Sequence, residues 1–445
     1  MSCNQDKIEP ELEPEPEPEP VVEGLIYKDV ACSSCHFTIF PETRSFDGIE
    51  MNVQPGDTIG IIEGERERLK ITNLNGSEGN PVTIINCDGR AKVGTTVSTN
   101  YGLIIETSSY FKVAGTGSSE HTYGIAVEGH NAIAMEYLST DYEVYGVEVV
   151  AAGFAGIVAR SNASCDGEVS KDTHTQYNTI LHDNYVHDTH GEGFYVGGSH
   201  WGSGQEAQPG CQGVLLFEPE LFGVRVYNNI VENTGLDGIQ VGSAVEDCEI
   251  YNNVIRNFAL REEPAHQNGI QIGNGTTGRV YNNYILSEGK GFGIFCQGRG
   301  DNVVYNNVIV NPGRDGIFAA DRMPTPGLGF MFINNTIIDP VRYGINFSSQ
   351  ITVGSVIYNN IVTRAGEDFL IGFDIYVESN NIFTDAPDTL LFADPANLDY
   401  SLQAGSPAID IGIDVTDYDI LEDAIGNERP NGDYDVGAFE FHEEE

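Results

Sequence analysis

Between residues 182 and 201 the chain concentrates side chains that can move protons or lie against a ring. They are His182, Asp183, His187, Asp188, His190, Glu192, Tyr195, His200 and Trp201, the only tryptophan. Imidazoles and carboxylates are the usual general acids and bases. Glycoside hydrolysis needs two carboxylates, one as acid and the other as base or nucleophile, and Glu192 with Asp237 would supply them. β-Elimination from a uronate would instead use His190 or His266 as base and Tyr195 as acid. Arg299 or Arg322 would then neutralise the sugar carboxylate. Plainer readings stand beside these: a hydrogen-bonded turn or cation site for the carboxylates, a structural role for each histidine. His182, His187 and His190 lack the spacing of a known metal site.

The elements that must position these residues are repeats. From about residue 180 one phrase recurs: an aromatic residue, two asparagines, then β-branched residues. Copies are Tyr227-Asn228-Asn229-Ile230-Val231, Tyr251-Asn252-Asn253-Val254-Ile255, Tyr281-Asn282-Asn283-Tyr284-Ile285 and Tyr305-Asn306-Asn307-Val308-Ile309. Later copies hold Asn334-Asn335, Asn359-Asn360 and Asn380-Asn381, and a degenerate first copy reads His182-Asp183-Asn184. A period near 25 that varies while its punctuation stays fixed marks a solenoid with loops inserted at a corner. A second phrase follows each asparagine pair, as in Gly238-Ile239-Gln240-Val241 and Gly269-Ile270-Gln271-Ile272. Its period of two is that of a strand with one face in the core. Helix period is missing, and Gly, Asn and β-branched residues disfavour helices. The expected fold is all-β, a right-handed parallel β-helix of roughly twelve rungs carrying an asparagine ladder.

Aligned on the second phrase, two outward rows appear. The residue before each glycine reads Glu192, Asp237, Asn268, Phe292, Asp315 and Tyr343; the second residue after it reads Tyr195, Gln240, Gln271, Phe295, Phe318 and Asn346. Aromatic rings alternating with amides and carboxylates suit an extended carbohydrate. The bland alternative is a solvated sheet face with ordinary side-chain ladders. Insertions at about 161–178 and 199–222 would wall such a groove and bring His200 and Trp201 to it. A third, about 258–267, carries His266.

Val53-Gln54-Pro55-Gly56-Asp57-Thr58-Ile59, then Asn80-Pro81-Val82-Thr83-Ile84, then the tandem Tyr-Asn-Asn coils resemble the pectin-lyase-like β-helix superfamily. More narrowly the chain looks like surface lipoproteins of Bacteroidetes-type bacteria. Ser406-Pro407-Ala408-Ile409-Asp410 with Asp435-Val436-Gly437-Ala438-Phe439-Glu440 resembles the closing segment of such proteins. The likeness spans nearly all of 50–441 and implies a fold that hosts lyases, hydrolases, epimerases, esterases and adhesins. The catalytic signatures of polygalacturonases, pectate lyases and mannuronan epimerases are absent, so no residue's role carries over. The expected function is a polysaccharide lyase or glycoside hydrolase acting on an extracellular glycan, with uronate-containing chains among the candidates; the alternative is a non-catalytic glycan-binding or adhesin-like surface lipoprotein.

Composition narrows the partners. The formal net charge is −45, from 67 acidic and 22 basic residues. That balance opposes nucleic acid, whose phosphates are met by Lys and Arg, and it opposes anionic lipid. It suits solubility and bound cations, Ca²⁺ among them. A polyanionic substrate would need a local basic patch. Met1-Ser2-Cys3 before a polar tether resembles a bacterial lipoprotein cleavage site, with Cys3 as the lipidated residue. The reading implies secretion across the inner membrane and an outer-membrane or cell-surface monomer. The Glu-Pro run over 9–20 cannot build a core. As polyproline II it would span roughly 35 Å. The expected organisation is 1–25 lipoprotein-like start and disordered linker, 26–80 N-terminal cap, 81–395 β-helix and 396–445 capping segment.

Of the eight cysteines, Cys165 and Cys211 both sit in Gly- and Ser-rich insertions and are expected to form a disulfide. Cys296 lies in a repeat strand as a buried thiol. Cys32-Ser-Ser-Cys35-His36 has haem-attachment spacing, but without a cytochrome context a local disulfide or structural pair is expected.

Overall fold

A computed structural model describes residues 24–95, 100–206, 211, 213–322, 325, 327–373, 375–429 and 433–443. Cys3 and the Glu-Pro run lie outside them. Nearly every strand pairs in parallel with the strand one coil away. Each coil from about residue 140 has three walls. Wall 1 precedes the asparagine turn, as in Arg225–Tyr227; wall 2 follows it, as in Ile230–Glu232; wall 3 is the second phrase, as in Ile239–Val241. Walls 1 and 2 join at the turn into a 23-stranded sheet, and wall 3 is a 12-stranded sheet. The core between them is a column of aliphatic side chains that includes Val226, Val231, Ile239 and Val241, all without solvent exposure.

The asparagine turn is the fixed point. The first asparagine of each pair adopts a left-handed backbone, φ 53° at Asn228 and Asn252 and 54° at Asn282, which Asn tolerates better than other L-residues. Asp183 takes this place in the degenerate copy, at φ 52°. The second asparagine points inward. Asn283 donates its Nδ2–H to Asn307 Oδ1 (2.9 Å) and to the carbonyls of Ile250 (2.9 Å) and Tyr281 (3.0 Å). Its own Oδ1 accepts the backbone N–H (3.1 Å) and Nδ2–H (2.9 Å) of Asn253. The pattern runs unbroken from Asn184 through Asn229, Asn253, Asn283, Asn307, Asn335 and Asn360 to Asn381. Beside it, Tyr145, His182, Tyr227, Tyr251, Tyr281 and Tyr305 stack with centroids 4.6–5.0 Å apart.

The glycine that opens the second phrase has an equally local cause. A Cβ on Gly269 would lie 2.5 Å from Ile285 Cγ2 and 2.7 Å from the Gly293 carbonyl. Gly293 and Gly316 meet the next coils in the same way. Wall 3 closes tightly on wall 2 only where the side chain is missing.

The C-terminal segment folds back over the late coils. The outward first asparagines receive it: Asn334 donates to the carbonyls of Asp435 and Gly437 (3.1 Å each), and Asn359 to that of Ile413 (2.9 Å). Buried Arg429 pairs with Glu440 and donates to Asn306 Oδ1 (2.8 Å).

Cys165 and Cys211 are bonded, with Cα atoms 5.3 Å apart. The Cys32/Cys35 expectation is corrected: Cys32 pairs with Cys87, and Cys35 is a free thiol. The turn Cys32–Ser34 lies against the strand Val82–Val93, where the Cys32 N–H meets Asp88 Oδ1 at 3.1 Å, so the nearer partner in space comes from the next coil. Cys296 is a buried thiol. Among the described residues no helix is long and apolar enough to cross a membrane.

Removing a mid-ladder amide leaves several buried donors and acceptors unpaired. Asn283→Ala is expected to destabilise the protein by about 3 kcal/mol or more, and Asn381→Ala, at the partly buried end, by clearly less. Denaturant midpoints of the two variants check this.

Candidate functional site

Both outward rows stack directly. The Gly193 N–H donates to the Asp237 carbonyl (3.0 Å) and the Gly238 N–H to that of Asn268 (2.9 Å), which sets Glu192, Asp237 and Asn268 one above another at the corner of walls 2 and 3. Along the second row Tyr195 pairs with Gln240, Gln240 with Gln271, Gln271 with Phe295, Phe295 with Phe318 and Phe318 with Asn346.

These rows point away from the core yet are covered. Glu192 is 2% exposed, Asp237 and Asp315 0%, Gln240 and Asn268 1%. Around Glu192 the chain assembles a polar cluster. His266, from the 258–267 insertion, places Nδ1 3.3 Å from Glu192 Oε1, an ion-pair contact without hydrogen-bond alignment. Asp237 Oδ1 accepts the N–H (2.9 Å) and Nδ2–H (2.8 Å) of Asn268, which also donates to Gln271 Oε1 (3.0 Å). Four oxygens here are buried with no hydrogen-bond partner among the described residues: Glu192 Oε2, Asp237 Oδ2, Gln240 Oε1 and Asn268 Oδ1. Native interiors rarely leave such groups unmet, so the cluster is built to receive a donor.

Burial, reinforced by the Glu192 charge, pushes the Asp237 carboxyl up to about 8, against the opposing pull of His266 and Asn268. The adjacent Glu192 carboxylate holds the His266 imidazole above its ordinary range. At neutral pH the corner therefore presents Asp237 as a carboxylic acid on one coil, beside the contact of His266 with Glu192 on the next. Coils stack about 4.8 Å apart. Environments that push two titratable groups apart are how active sites assign an acid and a base. Farther along, Asp315 accepts from Asn346 Nδ2 (2.8 Å), lies 3.8 Å from Arg342, and is raised by burial.

The other candidates are held elsewhere. His190 is exposed, and its carbonyl accepts from Arg261 (3.3 Å). His200 donates its N–H to Glu218 (3.4 Å). Trp201 donates Nε1–H to Glu220 (2.7 Å), carries Lys171 4.1 Å above its ring and has Arg299 at 5.8 Å. A Cβ on Gly275, itself at φ 82°, would strike that indole at 2.5 Å, so the ring lies flat on bare backbone. Phe295 and Phe318 stack on each other at 4.9 Å, Arg314 covers Phe292 at 4.7 Å, and Arg160 covers Tyr195 at 4.1 Å. The expectation of open aromatic platforms is thus corrected: cations and neighbouring rings occupy the faces that a sugar would need.

Sequence reading overlooked Ser199. Its Oγ meets Tyr195 Oη (3.0 Å) and Gln240 Nε2 (2.9 Å), and its carbonyl accepts from Arg322 (3.1 Å), which also reaches Gln297 (3.1 Å). It ties the 199–222 insertion to wall 3, and nothing in its local sequence marks it. Among the described residues no group of three or more His, Cys, Asp or Glu is placed to hold a metal ion.

Residues 172–362 match the family model described as right handed beta helix region. The chain is a right-handed parallel β-helix protein. No curated protein matches the sequence. Solved structures with a similar course include the pectate lyase Pel9A, at 14% identity over 93% of this chain and 100% of that one, with a TM-score of 0.47. An alginate lyase from Paenibacillus sp. str. FPU-7 gives 16% identity over 78% and 99%, with a TM-score of 0.40. A lacto-N-biosidase from Eubacterium ramulus gives 13% over 79% and 68%, with a TM-score of 0.44. None is near enough to assign a substrate or a reaction to this β-helix.

The raised Asp237 carboxyl has a stability consequence. An acid whose folded pKa exceeds its unfolded value favours the fold below the unfolded pKa, and that favour is lost as pH rises through the folded one. Wild-type stability is expected to fall between about pH 4 and pH 8 more steeply than that of Asp237→Asn, which keeps the acceptor for Asn268. Thermal midpoints at both ends of that range, for both proteins, check the difference.

Proposed function

We propose that this β-helix acts on an extracellular polysaccharide, with Glu192 and Asp237 as the reacting pair and His266 as the group that positions Glu192. The observation that carries the reading is two stacked carboxyls, one of them held protonated by burial, within a cluster of buried oxygens that have no hydrogen-bond partner among the described residues. Asp237, protonated at neutral pH, is the acid that would protonate a leaving glycosidic oxygen. Glu192 is the base or nucleophile. Asn268, Gln271 and Gln240 line the adjoining rungs with amides that suit sugar hydroxyls. Because His266 covers the carboxyls, the 258–267 insertion has to swing away for a chain to enter. Glycoside hydrolysis fits this pair better than β-elimination, since neither Arg299 nor Arg322 lies free. Arg299 donates to Thr325 (3.1 Å), and Arg322 holds Ser199 and Gln297. A surface location, with lipid on Cys3 and the Glu-Pro run as spacer, belongs to the same proposal.

The second reading is a non-catalytic glycan binder, favoured by the near-complete burial of Glu192 and Asp237. A panel of plant and algal polysaccharides, followed by reducing ends and by absorbance of unsaturated uronates, separates the two. Hydrolysis is expected to fall about 100-fold or more in Glu192→Gln and in Asp237→Asn, and to decline above about pH 8 as Asp237 ionises. Silence in both assays with retention on a polysaccharide gel would establish the binder instead.

A further inference from the structure

A second site lies on wall 2 near the N-terminal end of the rod, four coils before the one that carries Glu192. The early strands Thr58–Arg66 and Val82–Val93 run through walls 1 and 2 without the asparagine break. In wall 2 their inward column reads Arg66, Val93, Val127, Val149 and Val186, an arginine heading a row of valines. On its N-terminal side the strand Phe37–Ile39 pairs only with Ile59–Ile61. Among the described residues no strand covers Arg66 from that direction. Arg66 instead lines a cavity of 540 Å³ together with Arg90 and Lys92 and the carboxylates of Glu65, Glu67, Glu128 and Glu148.

Arg66 is 3% exposed. Its Nη2–H donates to the Ile62 carbonyl at 2.6 Å, while Nε and Nη1 have no hydrogen-bond partner. Among the described residues no carboxylate forms an ion pair with it, and burial pulls the guanidinium down to about 10. The other cations here are engaged, Arg90 with Glu148 and Lys92 with Glu65 (3.5 Å). The comparison inside the molecule is Arg429, which is equally buried and has Glu440. A buried charge without its counter-ion is costly, and such charges in proteins are paired or hold a ligand.

We propose that this cavity binds an acidic sugar through its oxyanion, a carboxylate or a sulfate ester, with Arg66 as the buried charge partner and Lys92 at the rim. The volume suits a small ligand. The oxyanion follows from Arg66; the sugar rests on the carbohydrate reading above. The site stands apart from the Glu192 corner, so it would hold a distant residue of a bound chain or a separate acidic saccharide.

Isothermal titration calorimetry at low salt, with glucuronate, glucose 6-sulfate, glucose and acetate as separate probes, tests this. Binding of glucuronate or glucose 6-sulfate, silence with glucose, and a loss of roughly 30-fold or more in Arg66→Gln are expected. Whichever charged sugar binds names the oxyanion. Lys92→Glu, at an exposed rim position, should weaken the same binding and serves if Arg66→Gln does not fold. Acetate binding without either charged sugar would overturn the sugar assignment and count against the carbohydrate reading. No binding by any probe, or unchanged binding in the variants, would overturn the site and leave the polysaccharide assays on Glu192 and Asp237 to stand or fall separately.

Discussion

Each inward asparagine carbonyl accepts two N–H groups from the coil before it, and this contact fixes the register of everything else. Successive ladder asparagines lie 45, 24, 30, 24, 28, 25 and 21 residues apart in the chain. The coils nevertheless superpose, because extra residues leave at corners and return before the next turn. A one-residue slip would turn every core side chain of a wall outward and strand a buried amide as well. The two penalties act together, so insertions as long as 199–222 are tolerated without loss of register. Before residue 184 the ladder is replaced rather than continued. Val147 donates its N–H to Asn184 Oδ1 (3.2 Å), with Gly146 at φ 64° taking the left-handed place.

Strict stacking makes neighbours of like groups. In the tyrosine row this is harmless, since rings tilted by no more than about 14° to one another fill each other's faces. In the corner row it sets carboxyl on carboxyl. Glu192 above Asp237 cannot both be charged at low cost in a desolvated place. The protein eases the conflict by setting His266 against Glu192 and raising the Asp237 carboxyl, so the asymmetry of the corner follows from the repeat together with one inserted loop.

The repeat was legible because its causes are local. The left-handed asparagine, the glycine pressed against an isoleucine of wall 2 and the alternating aliphatics each leave a mark within five residues. From those marks the parallel coils and both outward rows could be drawn, and the rows do stack as Tyr195, Gln240, Gln271, Phe295, Phe318 and Asn346. Burial of the rows was not legible. It depends on where the inserted loops land, as with Ser199 against Tyr195 and Gln240, or His266 against Glu192, and loop landing has no periodic signature. The same blindness hid the cap. Cys32 looks committed to Cys35 along the chain, yet the next coil brings Cys87 closer. The register of Arg66 with Val93, which places it in the core column, likewise leaves no mark in the neighbouring sequence.

The distribution of cations bears on the kind of polymer the rod could accept. Against 67 acids the chain has 22 basic residues, and many are committed. Lys112 pairs with Glu143, Arg256 with Glu232 and Arg364 with Asp339, while Arg160, Lys171 and Arg314 lie over aromatic rings. The surrounding field is therefore negative, though at physiological salt it decays over about 8 Å. A polyanion sliding along such a surface gains nothing until it meets a cation without a partner. Of the two buried arginines among the described residues, Arg429 is neutralised and Arg66 is not. A glycan lying along wall 3 past Glu192 and Asp237 would thus be neutral where it crosses the corner, because an acidic unit there would face Glu192 directly. On the proposed reading an acidic unit would go to Arg66, and charge, more than the shape of the groove, would divide the rod into a place for neutral sugar and a place for an oxyanion.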